Sequence, residues 1–178
     1  MSKLPAGHYL TWKNGKTTVK KYWDLKFVRP AERSREEAVI EEFLWRFREA
    51  VRLRLISDVP LGVFLSGGID SSSVAAMMAE LRPASQIKTF AIGFEDQSFD
   101  ESNYARQVAQ FLGTDHHEQI LTSQTLVDIL PEVMGFLDEP LADASIIPTY
   151  LLSRFTRRHV TVALGGDGGD ELLAGYPT

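Results

Sequence analysis

Two glycine-rich segments hold the residue types that could do chemistry in this chain. Ser66-Gly67-Gly68-Ile69-Asp70-Ser71-Ser72 follows the apolar run Leu61 to Leu65, and Gly165-Gly166-Asp167-Gly168-Gly169-Asp170-Glu171 follows Val160 to Leu164. In the first, Gly67 and Gly68 let backbone amides approach a ligand without obstruction by Cβ, and a helix starting there adds unpaired N–H groups and the positive end of its dipole. Ser66, Ser71 and Ser72 add hydroxyls of the kind that hold phosphate oxygens. Asp70 would repel phosphate unless a cation lay between them, and Mg²⁺ bridging carboxylate and phosphate oxygens resolves that conflict. The pattern has neither the G-K-[ST] of a Walker A loop nor the spacing G-x-G-x-x-G. A plain strand-to-helix turn, with serines as caps and Asp70 as a dipole partner, is the competing account.

The second segment repeats the theme with three acids among four glycines. Each glycine lowers the stability of ordered structure, so close approach of a ligand to the backbone explains the cluster more economically than a solvated acidic turn. Asp170 would complete a Mg²⁺ shell begun by Asp70 if both segments left the same edge of one sheet.

The elements that must position these segments can be read from hydrophobic spacing. Leu61 to Leu65, Lys88 to Phe94, His117 to Leu121 and Val160 to Leu164 read as buried strands; Ser71 to Leu81, Glu101 to Leu112, Thr122 to Leu137 and Ser145 to Arg158 have helical length and spacing. Pro83 and Gly113 stand where two of the helices should stop. Strand and helix in alternation predict an α/β fold, a parallel sheet with helices on both faces, whose ligands bind beyond the carboxyl ends of the strands. Upstream, Asn14-Gly15 between two β-branched and aromatic runs predicts a hairpin. After Pro30, Ser34 and Glu37 form a capping box. A long helix follows, with Val39, Ile40, Phe43, Leu44, Phe47, Ala50, Val51 and Leu55 on one face to be buried. A membrane-surface helix is the rival reading of that stripe.

Composition removes several classes of function. At 178 residues, 44% hydrophobic and 24% charged, the chain has the balance of one soluble domain with a full core. It has no cysteine, which excludes thiol nucleophiles, disulfides and cysteine metal sites. A formal charge of -5 gives no reason to expect nucleic acid as a partner. No apolar run is long enough for a bilayer, and Met1 to Leu10 lacks the pattern of a signal peptide, so the cytoplasm is the expected location. His116 and His117 are adjacent, would face opposite sides of a strand and read as structural; His8 and His159 look isolated. Asp138, Glu139 and Asp143 precede a helix whose expected cap is Ser145, so capping and substrate binding both fit them. Arg52, Arg54, Arg157 and Arg158 read as helix-end charges, and Phe27, Trp45 and Phe111 as packing residues.

Ser66 to Ser72 resembles the S-G-G-x-D-S signature of the N-type ATP pyrophosphatases, which split ATP between its α and β phosphates. Gly165 to Tyr176 resembles the S-G-[DE]-G-x-D-E-[LVM]-x-x-G-Y motif of asparagine synthetases and the related β-lactam synthetases. Together with Asp100 to Arg106 and Asp138 to Tyr150, the likeness runs from Pro5 to Tyr176. It implies an adenine nucleotide alpha hydrolase-like, Rossmann-like domain over residues 31–178, truncated at its C-terminus, after an interdomain connection over residues 1–30.

By the same resemblance, Ser66, Gly67, Gly68, Ser71 and Ser72 hold the departing pyrophosphate. Gly165 and Gly166 contact the nucleotide, Phe64 and Ile92 flank the adenosine, and Asp70 and Asp170 bind Mg²⁺. Asp167, the implied catalytic residue, takes the place of an acidic side chain that orients the substrate and intermediate. ATP and Mg²⁺ are the implied cofactors, aspartate and ammonia the other small-molecule partners. The implied reaction forms β-aspartyl-AMP and then asparagine, with ammonia from a cysteine glutaminase domain that these residues do not include. A second copy of the chain is a further candidate partner. Gly165 departs from the family's usual serine, and Ala174 from its usual glycine. A family lysine used in the adenylate reaction belongs to helices beyond Tyr176, so the expectation is a fragment of a longer enzyme that binds nucleotide without completing the reaction on its own. The alternatives are a β-lactam synthetase-like or other amidotransferase ligase, and a non-catalytic nucleotide-binding module.

Overall fold

The computed structural model describes residues 3–26, 35–98, 100–138, 143–173 and 175, and the chain forms two compact units, residues 1–41 and 42–178. In the first unit, β1 (His8–Lys13) and β2 (Lys16–Lys21) pair antiparallel around the Asn14-Gly15 turn. Asn14 at φ 51° and Gly15 at φ 75° supply the two positive dihedrals that a two-residue hairpin turn needs. Ser34 of the expected capping box, Pro30 and Phe27 lie outside the described residues.

The helix α1 (Glu36–Arg54) forms where the apolar spacing places it, with Glu36 and Glu37 in its first turn and Arg52 and Arg54 in its last, each sign suited to the dipole there. Its burial differs from the expected continuous stripe. Val51 and Leu55 are buried and Phe47 packs beside them, whereas Phe43 and Leu44 are exposed, as are Val39 and Ile40. Within the second unit, the part of the helix that joins the core is its last two turns.

The second unit is built on four parallel strands in the order β5-β4-β3-β6, with β3 at Leu61–Phe64, β4 at Lys88–Phe94, β5 at Asp115–Leu121 and β6 at Val162–Leu164. The connecting helices are α2 (Ile69–Leu81), α3 (Ser102–Leu112), α4 (Ser123–Met134) and α5 (Ile146–Thr156). A short helix absent from the sequence reading, α6 (Gly169–Leu173), follows β6. Val63, Leu65 and Ala91 meet the end of α1 and the inner sides of α2 and α3, including Val74, Met78, Ala105 and Ala109. On the opposite face Ile92, Phe94 and Leu121 meet Ile129, Val133 and Leu151 of α4 and α5. The sheet is thus covered on both sides, and each fully buried large side chain contributes about 1.5–3 kcal/mol.

The stops are where local chemistry puts them. Gly113 at φ 74° takes the left-handed conformation that ends α3 and returns its N–H to the Ala109 carbonyl. Thr122 caps α4 by accepting a bond from the Thr125 N–H at 3.0 Å. Among the described residues no helix is long and apolar enough to cross a membrane.

Strand order decides where a ligand can sit. The chain steps outward from β3 to β4 to β5, then returns to place β6 on the other side of β3. The loops leaving β3 and β6 therefore diverge at a topological switch point, with a crevice at the carboxyl ends of the two strands. Both glycine-rich segments are those loops.

Candidate functional site

Leu65 continues the sheet by donating its N–H to the Phe90 carbonyl at 2.8 Å, and the chain then turns sharply into α2. Gly67, at φ 87°, makes that turn; a Cβ there would collide with Tyr104 and come within 2.6 Å of the Ala105 nitrogen. Its missing side chain is space taken by the first turn of α3. Serine hydroxyls hold the rest of the loop. Ser71 Oγ lies 2.9 Å from Ser66 Oγ and accepts the Ser66 N–H at 3.2 Å, and Ser66 Oγ accepts the Gly68 N–H at 3.2 Å. Gly68 starts α2 by receiving the Ser72 N–H on its carbonyl, with no side-chain cap of its own. Ser72 Oγ is buried and has no partner among the described residues.

The second loop is seated against the first. A Cβ on Gly166 would lie 2.7 Å from the Ser71 nitrogen, and one on Gly169 would lie 2.5 Å from the Asp70 carboxyl group. Only glycine lets the two backbones come this close. Main-chain bonds from Gly169 to Gly166 and from Leu172 to Gly168 close the loop into α6. At Gly165 the space of the missing side chain is filled by the Asp167 carboxylate. A serine there would displace that carboxylate, which as the end of a side chain can move aside.

Between the loops lies an open cleft of about 620 Å³. From the first loop and its strands, Phe64, Ser66, Asp70, Ser71 and Ile92 line it; from the second, Gly165, Gly166, Asp167 and Asp170 do so. Of the other expected site residues, Gly67 and Gly68 form the turn and Ser72 the first turn of α2, and none of the three lines the cleft. Polar groups that the sequence reading did not single out also face the cleft, among them Glu101, Ser102, Thr149 and Glu171. Glu101 and Ser102 lie in the Asp100 to Arg106 stretch, and Thr149 in the Asp138 to Tyr150 stretch, so the signal was present without an assigned role.

Asp70 and Asp170 share the cleft, and among the described residues no group of three or more His, Asp or Glu side chains is gathered as a metal cage. Two carboxylates beside an open, hydroxyl-lined cleft fit Mg²⁺, which typically takes one or two protein carboxylates and completes its shell with substrate phosphates and water.

Several of the remaining candidates make contacts outside the cleft. Asp143 accepts bonds from the Ser145 N–H and Oγ at 2.9 and 2.7 Å, which hold its carboxyl below the usual range; it caps the turn into α5 and is not in the cleft. Asp138 is exposed, and Glu139 lies outside the described residues. His116 and His117 do face opposite sides of β5: His116 Nδ1 lies 2.8 Å from Thr89 Oγ1, while His117 stacks on Phe90. His159 is not isolated, since its ring lies 4.4 Å from that of His117. Trp45 and Phe111 are not packing residues in this unit, being 60% and 89% exposed. Arg52 serves its own helix, paired with Glu49 at 2.8 Å.

A parallel sheet covered by helices on both faces, with glycine-rich loops meeting at its switch point, defines an α/β domain with a candidate ligand cleft at the carboxyl ends of its strands. The chain belongs to the asparagine synthase family, whose sequence model matches residues 42–178. It is 36% identical over 172 residues to the glutamine-hydrolyzing asparagine synthetase 1 of Bacillus subtilis, an alignment covering 97% of this chain and 27% of that protein. It is 39% identical over 178 residues to the Methanocaldococcus jannaschii protein assigned as glutamine-hydrolyzing asparagine synthetase 2, covering 99% of this chain and 34% of that one. The chain thus spans about a third or less of the length of these relatives. Its fold is similar to that of a glutamine-dependent NAD+ synthetase from Acinetobacter baumannii in complex with ADP, with a TM-score of 0.51 at 20% identity over 90% of this chain and 30% of that one.

Proposed function

We propose that the cleft binds MgATP and uses it to adenylate the side-chain carboxylate of aspartate, the first half of an AMP-forming asparagine synthetase reaction. The observation that carries the reading is the seating of Gly166 and Gly169 on Asp70 and Ser71, which gives one cleft both a serine-lined strand-to-helix turn and two carboxylates from the first turns of the helices that follow the adjacent strands β3 and β6. Family membership and the names of the relatives supply the substrate class.

In this reading the first loop receives the β and γ phosphates on the backbone amides and hydroxyls around Ser66 to Ser72, at the start of α2. Asp70 and Asp170 would hold Mg²⁺, which offsets charge on the departing pyrophosphate. Phe64 and Ile92 flank the adenosine, and Gly165 and Gly166 hold the nucleotide from the other side. A carboxylate oxygen of aspartate attacks the α-phosphorus, the bond to the β-phosphate oxygen breaks, and pyrophosphate leaves. Asp167 orients the aspartate and its acyl-adenylate. Ammonia then displaces AMP at the acyl carbon, and the proton it loses passes to solvent. The protein's contribution is alignment and charge stabilisation, with no protein nucleophile. Ammonia comes from glutamine through a glutaminase domain, the partner suggested by the relatives' names, with residues 1–30 as the connection to it.

The test is ATP–pyrophosphate exchange by the intact protein. Exchange that requires aspartate supports the reading. MgATP binding with no exchange for any amino acid would overturn it in favour of a nucleotide-binding module.

A further inference from the structure

The stretch from Asp100 to Arg106 leads into α3, and of its two acids Glu101 lines the cleft while Asp100 does not. Asp100 Oδ1 accepts the Phe94 N–H at 3.3 Å and the Ser102 N–H at 3.0 Å, while Oδ2 accepts the Ser102 hydroxyl at 3.0 Å. The carboxylate therefore ties the last residue of a strand to the first residue of a helix. Gly93 makes room for it, since a Cβ at that position would lie 2.7 Å from Asp100 Oδ1 and 2.9 Å from Ser102 Cβ. The Ser102 bonds, with that from Phe94, hold the Asp100 carboxyl below the usual range against the opposing effect of burial.

What this knot fixes is the first turn of α3. Ser102 is 2% exposed and Ala105 fully buried, and the backbone at Tyr104 and Ala105 is the surface on which Gly67 rests. The same turn presents Glu101 and Ser102 to the cleft. We infer that Asp100 is a positioning residue, anchoring α3 so that its first turn forms the wall against which the Gly67 turn, and with it the Ser66 to Ser72 loop, is built. The triplet Asp100-Glu101-Ser102 then divides its labour: the aspartate holds, the glutamate faces the ligand, and the serine returns the bond. The inference rests on the reading of the first loop as the ATP phosphate site.

The experiment compares Asp100→Ala, Asp100→Asn and Thr122→Ala in the intact protein, reading KM for ATP, kcat for aspartate-dependent exchange and the urea unfolding midpoint. Thr122 makes the same kind of capping bond on the opposite face of the sheet, at a place where the cleft does not reach. Asp100→Ala is expected to raise KM for ATP about tenfold with a smaller change in kcat. Asp100→Asn keeps an oxygen acceptor for backbone N–H groups and is expected to recover most of that loss. Thr122→Ala is expected to lower the unfolding midpoint and leave KM within about twofold. If Asp100→Ala does not fold, Ser102→Ala, which removes one of the bonds, is expected to raise KM about threefold.

A KM for ATP unchanged by the Asp100 substitutions, or changed equally by Thr122→Ala, overturns the inference. Should the unsubstituted protein show no exchange, the adenylation reading fails on its own. MgATP affinity from calorimetry then replaces KM for Asp100, and absence of MgATP binding overturns both.

Discussion

The two loops of the cleft are made differently although their compositions are alike. The Ser66 to Ser72 loop is held from within by serine hydroxyls, backed by α3 and continued by the thirteen-residue α2, whose Val74, Ala75 and Met78 are buried in the core. The Gly165 to Glu171 loop leads into the five-residue α6, which has no buried residue, and takes its position from the backbone it touches at Asp70 and Ser71. The difference teaches that one loop is a scaffold and the other is seated on it. Glycine is used for opposite reasons in each: in the first to admit α3, in the second to reach the first.

The largest effect should come from breaking the scaffold. Gly67→Ala puts a Cβ at φ 87° into the first turn of α3, a combination of backbone strain and collision. Stability is expected to fall by about 1–3 kcal/mol in urea unfolding and MgATP affinity about a hundredfold in calorimetry. Gly166→Ala separates the loops without straining a left-handed residue, so the expectation is a similar loss of affinity with a smaller loss of stability. Unaltered affinity in Gly166→Ala would mean that the seating does not matter to the ligand.

Next come the acids that the two loops contribute. Asp70→Asn and Asp170→Asn each remove one carboxylate charge, and each is expected to weaken MgATP about tenfold to a hundredfold while leaving nucleotide binding without Mg²⁺ little changed. Titration of ATP with and without Mg²⁺ in each variant checks this. Equal weakening with and without Mg²⁺ would contradict the metal role and leave the acids as structural parts of their loops.

How much of this was legible from the residues follows the same division. The strand Lys88–Phe94 could be bounded from its apolar run because tertiary contacts agree with its local preference. The loop after it gave no such signal: the roles of Glu101 and Ser102 depend on where α3 packs, which no local pattern states. α6 escaped notice because five residues that begin with glycine have no helical period to read. The glycines of both loops were legible as close approaches, but the partner that approaches Gly67, Gly166 and Gly169 is the protein's own backbone or carboxylate. The apolar stripe of α1 announced an amphipathic helix and could not say how far along it the core extends.

The smallest expected effect separates two adjacent hydroxyls that composition alone cannot tell apart. Ser71 is bonded within the scaffold, touching Ser66 and Gly68, whereas the buried Ser72 Oγ has no partner among the described residues. Removing a bonded hydroxyl costs about 1 kcal/mol, while removing an orphaned one relieves a desolvated group. Ser71→Ala is therefore expected to destabilise the domain by about 1 kcal/mol, and Ser72→Ala to leave it unchanged or slightly more stable, as read from urea midpoints. With MgATP at saturation the order is expected to change: if phosphate supplies the partner that Ser72 lacks, ligand will stabilise the unsubstituted protein more than it stabilises Ser72→Ala. The difference reports the bond as a linkage free energy, positive only if that hydroxyl meets the nucleotide. Equal stabilisation by MgATP in both proteins would assign Ser72 to the turn alone and restrict phosphate recognition to the hydroxyls of Ser66 and Ser71 and the loop's backbone.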